Sequence, residues 1–208
     1  MKKQKEHREH KEQQWEKLLK IKTSGRDDSR ADSYHHPYEP TPYVVLERLA
    51  NVGYIGKKNT LLDYGCGKGR VDFFFSYQTR CRTIGIEYDE RIYRSALDNR
   101  KTAVSSERTE FVCGCAEQYT IPDHVDRIYF FNPFSVEILK KVLGRIRESC
   151  YVLPRNILLF FYYPSEEYQS FLMTLSELEF MEEVDCRDLF EGADDREKVL
   201  VFSMGSED

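Results

Sequence analysis

From Thr60 onward, short apolar runs alternate with segments whose apolar residues recur every three to four positions, as strands followed by helices do. "TLLDYG" predicts a strand and "RVDFFFSYQ" a helix; "RTIGIEYD" predicts the next strand, and "DERIYRSALDNRKTAV" a helix that Asp89 caps. "EFVCGCA" and "RIYFFNPF" read as the third and fourth strands, and "SVEILKKVLGRIRESC" as a helix opened by the Ser135 hydroxyl. "NILLFFYY" is a fifth strand and "SEEYQSFLMTLSELEF" a helix, after which "MEEVDCRDLF" and "KVLVFSMG" follow as two strands with no helix between them. The first five strands are nearly continuous in apolar character, which predicts helices on both faces. The fold class is therefore α/β: a doubly wound, mostly parallel seven-stranded sheet with a C-terminal antiparallel hairpin.

Upstream the pattern differs. Residues 2 to about 22 are charged and rich in helix formers, with Trp15, Leu18, Leu19 and Ile21 gathered at the end. They predict a helical extension, solvated, frayed at its start and weakly anchored. "TSGRDDSRADS" reads as a linker, so the chain divides into an extension over 1–33 and a domain over 34–208. "YHHPYEPTPY" is proline-interrupted and leads into "VVLERLANVGYIG", which has helical spacing.

Composition narrows the partners. The net charge is −5 over 208 residues, without the basic excess that binding to phosphates demands, which argues against duplex nucleic acid. Six cysteines are scattered without a C-x-x-C spacing and read as reduced thiols. No stretch has the apolar core of a signal peptide and no apolar run reaches membrane-spanning length, so the expected location is cytoplasmic, with no membrane partner.

The chemistry concentrates in "LLDYGCGKGR", where an apolar strand runs into a glycine-rich turn and a helix start, a place where backbone N–H groups face a ligand. A P-loop would need glycine where Leu62 stands, and a dinucleotide fingerprint would need glycine or alanine where Arg70 stands. Lys68 and Arg70 either steer an anionic group or decorate the first helical turn. The spacing present, D-x-G-x-G-x-G from Asp63 to Gly69, resembles motif I of the class I methyltransferases that use S-adenosylmethionine. That resemblance covers about residues 38 to 205 and implies a set of roles. Asp63 orders the turn, Gly65, Gly67 and Gly69 admit the cofactor, and Glu87, about 20 residues on at the end of the second strand, holds its ribose. In "GCAEQY", Cys115 stands where that family usually places an acidic residue beside the adenine, leaving Ala116 and Glu117 as the implied contacts.

Two further stretches carry resemblances. In "YFFNPFS", Asn132, Pro133 and Phe134 resemble the [DN]-P-P-[FY] motif of amino-methyltransferases, whose polar side chain orients a target NH₂ toward the methyl group. One proline is missing, so Phe134 occupies the second proline's place and Ser135 that of the aromatic residue. "YEPTPY" ahead of its helix resembles the Y-x-P-T-P arrangement of a group of seven-strand protein-lysine methyltransferases, which implies that Tyr38 and Thr41 contact the cofactor's methionine end. The reading that follows is an S-adenosylmethionine-dependent transferase acting on a nitrogen of a protein side chain or small molecule. Its competitor is a non-catalytic module that binds S-adenosylmethionine as a partner or sensor.

Overall fold

The computed structural model describes residues 2–27, 38–192 and 194–205. Strands β1 (Thr60–Tyr64), β2 (Arg82–Glu87), β3 (Thr109–Cys113), β4 (Arg127–Phe130), β5 (Ile157–Tyr162), β6 (Leu178–Asp185) and β7 (Lys198–Met204) form one sheet. Its order is β3-β2-β1-β4-β5-β7-β6. The first five strands are mutually parallel, and β7 runs antiparallel to both neighbours, so the expected closing hairpin is present. The strand order reverses between β1 and β4, which opens a crevice beyond their carboxyl ends.

The helices are α1 (Lys2–Leu19), α2 (Tyr43–Val52), α3 (Arg70–Gln78), α4 (Glu90–Arg100), α5 (Val136–Val152) and α6 (Glu166–Leu172). Period-two alternation in β1 sends Leu61 into one core cluster with Leu46 and Phe74, and Leu62 and Tyr64 into a second with Leu139 and Leu143. The two clusters lie on opposite faces of the sheet, and β5, buried at every position, belongs to both. Asp89 accepts from Arg91 N and Ser135 from Ile138 N, so both expected caps form. No helix among the described residues is long and apolar enough to cross a membrane.

Three expectations need correction. The helix predicted over "SEEYQSFLMTLSELEF" stops at Leu172, and Leu178–Phe180 open β6 instead, because they pair with β7 through Met204 and Phe202. β3 is not covered on both faces: as an edge strand it buries Thr109 and Phe111 but exposes Glu110 and Cys113. The N-terminal helix is also firmly docked. Leu19 and Ile21 are buried in the first core cluster, and the Trp15 ring meets Phe74 edge-on at 4.8 Å. Trp15 Nε1 donates to Glu47 at 2.8 Å, with Lys11 paired to the same carboxylate. The expected boundary between 33 and 34 lies outside the described residues.

Candidate functional site

The glycine turn is stapled to the end of β2. Gly65 N and Cys66 N both donate to Ile86 O, at 2.9 and 3.0 Å, and Gly67 N donates to Glu87 Oε2 at 2.9 Å. Glu87 Oε1 accepts from Asp89 N at 2.8 Å. An ionised carboxylate offers about four lone-pair positions, so these two bonds leave acceptor capacity on a side chain that lines the crevice. Burial holds the Glu87 carboxyl above its ordinary range, while the Asp89 and Gly67 amides pull it back.

The crevice opens beside the turn, beyond the carboxyl ends of the strands. Asp63, Gly65, Glu87, Ala116 and Glu117 line it from the sheet side, Pro133 and Phe134 from the end of β4, and Tyr38 and Thr41 from the N-terminal segment. Gly67 and Gly69 do not. A side chain on Gly67 would overlap the Tyr38 ring, and one on Gly69 would lie 2.6 Å from Phe111, so Gly69 faces the core and Gly67 seats Tyr38. Of the expected binding residues, those two support the crevice rather than border it.

Beneath the turn lies a buried acidic pair, of which sequence reading singled out Asp63 but not Asp72. Asp63 on β1 and Asp72 on α3 face each other across the helix–sheet contact, because residue 63 shares the face of Leu61. Asp63 Oδ2, both Asp72 carboxyl oxygens and Thr83 Oγ1 are buried without a donor. Two ionised carboxylates have no proton to offer each other; one retained proton converts the contact into a hydrogen bond. Burial, then the neighbouring Asp72 charge, push the Asp63 carboxyl well up; burial also raises Asp72, partly offset by its bond with Asp63. Groups with raised folded values stabilise fully below the unfolded carboxylate pKa of about 3.9, and that contribution is lost as pH rises through the folded values. Asp72→Asn, which donates to Asp63 without a second charge, is expected to raise the thermal midpoint by about 5 °C at pH 8 and leave it nearly unchanged at pH 4. Equal shifts at both values in a calorimetric scan would remove the pair from the pH dependence.

Arg70 borders the crevice with its guanidinium buried among residues of the N-terminal segment, so its charge is engaged inside the protein rather than displayed on the helix surface. Lys68 lies over the Tyr38 ring at 4.7 Å and donates to Ser24 O at 3.3 Å. Tyr129, also unflagged by the sequence, meets the Thr41 hydroxyl at 3.0 Å through its own and fixes that residue against the sheet.

At the end of β4 the three expected residues separate. Pro133 packs on Gly65 at the crevice wall. The Phe134 ring is committed to the core, edge-on to Tyr64 and Phe130 at 6.3 Å each, while its carbonyl accepts from Tyr168. Asn132 faces a second, open cleft. Its Nδ2 donates to Tyr163 O, and its Oδ1 accepts from Ser165 N at 3.3 Å, tying the ends of β4 and β5 together. Both Asn132 (φ 39°) and Tyr163 (φ 49°) sit in the left-handed region, a strained pairing of the kind that marks functional loops. Phe131 borders both cavities and packs on Tyr162 at 4.7 Å, so it, rather than Phe134, is the aromatic side chain between them. Glu39 and Glu197 add carboxylates to the second cleft, the latter accepting from Tyr162 Oη at 3.0 Å.

No protein-family model matches the chain. Over 66 residues, 31% of its length, it is 30% identical to a protein-lysine N-methyltransferase of Saccharolobus islandicus (strain REY15A), and this match spans 41% of that protein. Among solved structures, an RNA methyltransferase of Salinibacter ruber in complex with S-adenosyl-L-homocysteine is similar over 81% of this chain and 95% of that one, with a TM-score of 0.54 and 19% identity. A TehB-like SAM-dependent methyltransferase of Corynebacterium glutamicum is similar over 96% and 98%, at 0.55 and 17%. The glycopeptide N-methyltransferase MtfA complexed with S-adenosylmethionine is similar over 77% and 86%, at 0.59 and 12%. At these identities the likeness is one of fold.

Proposed function

We propose that this chain, which has the class I seven-strand Rossmann-like methyltransferase fold, binds S-adenosylmethionine and transfers its methyl group to a nitrogen of a protein side chain or small molecule. The observation that carries the reading is Glu87: a half-buried carboxylate with acceptor capacity at the end of β2, clamped to the glycine turn and lining the crevice at the point where the strand order reverses.

The donor set suits that cofactor. Glu87 would accept from its ribose hydroxyls, and Gly65, whose missing side chain admits Pro133, lets the turn close along the crevice wall. Ala116 and Glu117 would border the base, and Tyr38 and Thr41 the methionine end. When bound, the cofactor supplies an electrophilic methyl on a sulfonium. The chain's own residues then position the acceptor, exclude water and hold the amine neutral, since positioning supplies most of the rate for an already activated group.

The acceptor reading favoured here is an amine, with protein lysine first. The second cleft offers Phe131 and Tyr162 to an aliphatic stem and Glu197 to the approaching ammonium, while Glu39 is paired with Arg26 and Arg196 covers the Tyr163 ring. Burial raises the Glu197 carboxyl above its ordinary value, which brings it closer to accepting a proton. Asn132 would orient the nitrogen by sharing its Oδ1 with the long Ser165 contact. Asn132→Ala is expected to lower turnover by about 100-fold, with cofactor affinity held within about three-fold. A parallel loss of both in stopped-time assays would reduce Asn132 to a tie between strand ends.

The test has two arms. Calorimetric titration should give micromolar binding of S-adenosylmethionine and S-adenosylhomocysteine and none of NADH; a folded sample that binds neither sulfur compound overturns the reading. Methyl-labelled cofactor incubated with protein extract should label protein, and reductive methylation of the extract's lysines should abolish it. Binding without any transfer would favour the non-catalytic module.

A further inference from the structure

We infer that α1, at the start of the chain, is a working part of the cofactor pocket, and that Arg70, Glu12 and Glu16 are its positioning residues. The inference rests on the pocket being the S-adenosylmethionine site proposed above.

Arg70 is the first residue of α3, directly after the glycine turn, and only 3% of its surface is exposed. A guanidinium buried this deeply needs partners for its five N–H groups. All of them come from before β1. Nε donates to Thr23 Oγ1 at 2.7 Å, Nη1 to the Glu12 carboxylate and to Thr41 O at 3.2 Å, and Nη2 to Glu16 at 3.4 Å and Ser24 Oγ at 3.3 Å. The Tyr43 ring lies under its guanidinium carbon at 4.3 Å.

Each of these contacts leads to the crevice wall. Pro42, at the N-cap of α2, has no side-chain acceptor, so Glu12 reaches across and accepts from Tyr43 N at 2.9 Å. Arg70 thus holds Thr41 by its carbonyl while Glu12 holds Tyr43 two residues on, and Thr41 lines the crevice with its hydroxyl on Tyr129. Glu16 accepts from Thr23 N, Thr23 Oγ1 and Ser24 N at 2.6, 2.8 and 2.8 Å, holding the bend after α1. Thr23 O in turn accepts from the Tyr38 hydroxyl, and the Tyr38 ring is the side chain seated on Gly67. The wall residues Tyr38 and Thr41 therefore take their positions from α1 through a charged hub on motif I.

The attachment of α1 and the setting of the wall are separable. Trp15, Leu19 and Ile21 hold the helix to the core through apolar contacts that do not involve Arg70. A variant that cuts the polar hub while keeping helix propensity and apolar packing should leave α1 docked and the wall loose.

The experiment compares wild type, Glu12→Leu and Glu12→Gln in the full chain by calorimetry with S-adenosylmethionine, thermal melting, and hydrogen exchange with and without cofactor. Glu12→Leu is expected to weaken binding about ten-fold, because a charge-assisted contact is lost, and to lower the midpoint by about 5–10 °C, because the buried Arg70 guanidinium loses an anionic partner. Glu12→Gln, which keeps an acceptor oxygen, should recover most of the affinity. In wild type the cofactor should slow exchange at residues 38–43, and in Glu12→Leu it should not. Wild-type affinity in Glu12→Leu, or a fall in midpoint with no change in binding, overturns the inference. If the wild-type chain itself takes up no cofactor, the site assignment fails and this inference fails with it; if it binds and both variants bind equally well, only this inference fails.

Discussion

Glu87→Ala is expected to bind S-adenosylmethionine at least about 100-fold more weakly than wild type while remaining folded. A hydrogen bond to a charged group contributes about 1.5–3 kcal/mol, and the carboxylate has acceptor capacity for two ribose hydroxyls, so about 3–6 kcal/mol of binding energy is at stake. The truncation also strips the acceptor from Gly67 N and Asp89 N, which loosens the turn before any ligand arrives. Stability should fall by only about 1–2 kcal/mol, since water can reach both amides once the side chain is gone. Glu87→Gln separates the two effects: it keeps one acceptor for the turn, so its melting midpoint should stay close to wild type while its affinity still falls steeply. Titration calorimetry on both variants, with melting curves alongside, decides the matter. Affinity within about three-fold of wild type in Glu87→Ala would end the ribose assignment.

Gly65→Ala should be strongly damaging. Gly65 has φ 75°, where an added Cβ costs about 1–2 kcal/mol in backbone strain, and that Cβ would lie 2.5 Å from Pro133 Cβ. Pro133 is a rigid ring at the end of β4 and cannot rotate aside, so the turn or the strand end must move. The combined cost is about 3–5 kcal/mol, a large share of the 5–15 kcal/mol that holds a domain of this kind together. Urea denaturation should show a lower midpoint at unchanged slope, and cofactor uptake should be lost even where the chain remains folded. A double-mutant cycle with Pro133→Gly isolates the steric part: if the clash dominates, the second substitution restores part of the loss, and additive losses would show that the left-handed backbone alone is responsible.

Most of the sheet was legible because its signals are local. Apolar runs bounded by Gly, Pro and Asp marked β1 to β5, and Asp89 and Ser135 announced their helices as caps. The boundary at Leu172 was not legible, because "LSELEF" has helical composition and becomes strand only by pairing with β7. The docking of α1 was hidden for a similar reason. Glu12, Glu16 and Trp15 look like an ordinary solvated surface until Arg70, Tyr43 and Glu47, tens of residues away, are brought against them. Arg70 stands out in the sequence only as the residue that spoils a dinucleotide fingerprint and as a cation at the first helical turn. Asp72 sits between Val71 and Phe73 like a polar turn residue, and only the β1–α3 contact reveals it facing Asp63. At the acceptor side, chain order suggested that Asn132, Pro133 and Phe134 act together. The sharp bend at Asn132 sends them to two cavities and the core.

The placement of β7 between β5 and β6 has a consequence for the order in which the molecule can be assembled. A ribosome releases β6 before the strand that is its partner in the sheet, and it releases the run ILLFFY of β5 earlier still. Until Lys198–Met204 arrives, one edge of β5 carries unclaimed backbone groups beside a wholly apolar, uncharged six-residue segment, the composition that self-associates as cross-β. The newborn chain is therefore most vulnerable in the interval between the fifth strand and the seventh, and the antiparallel insertion that completes the sheet is also what ends that exposure.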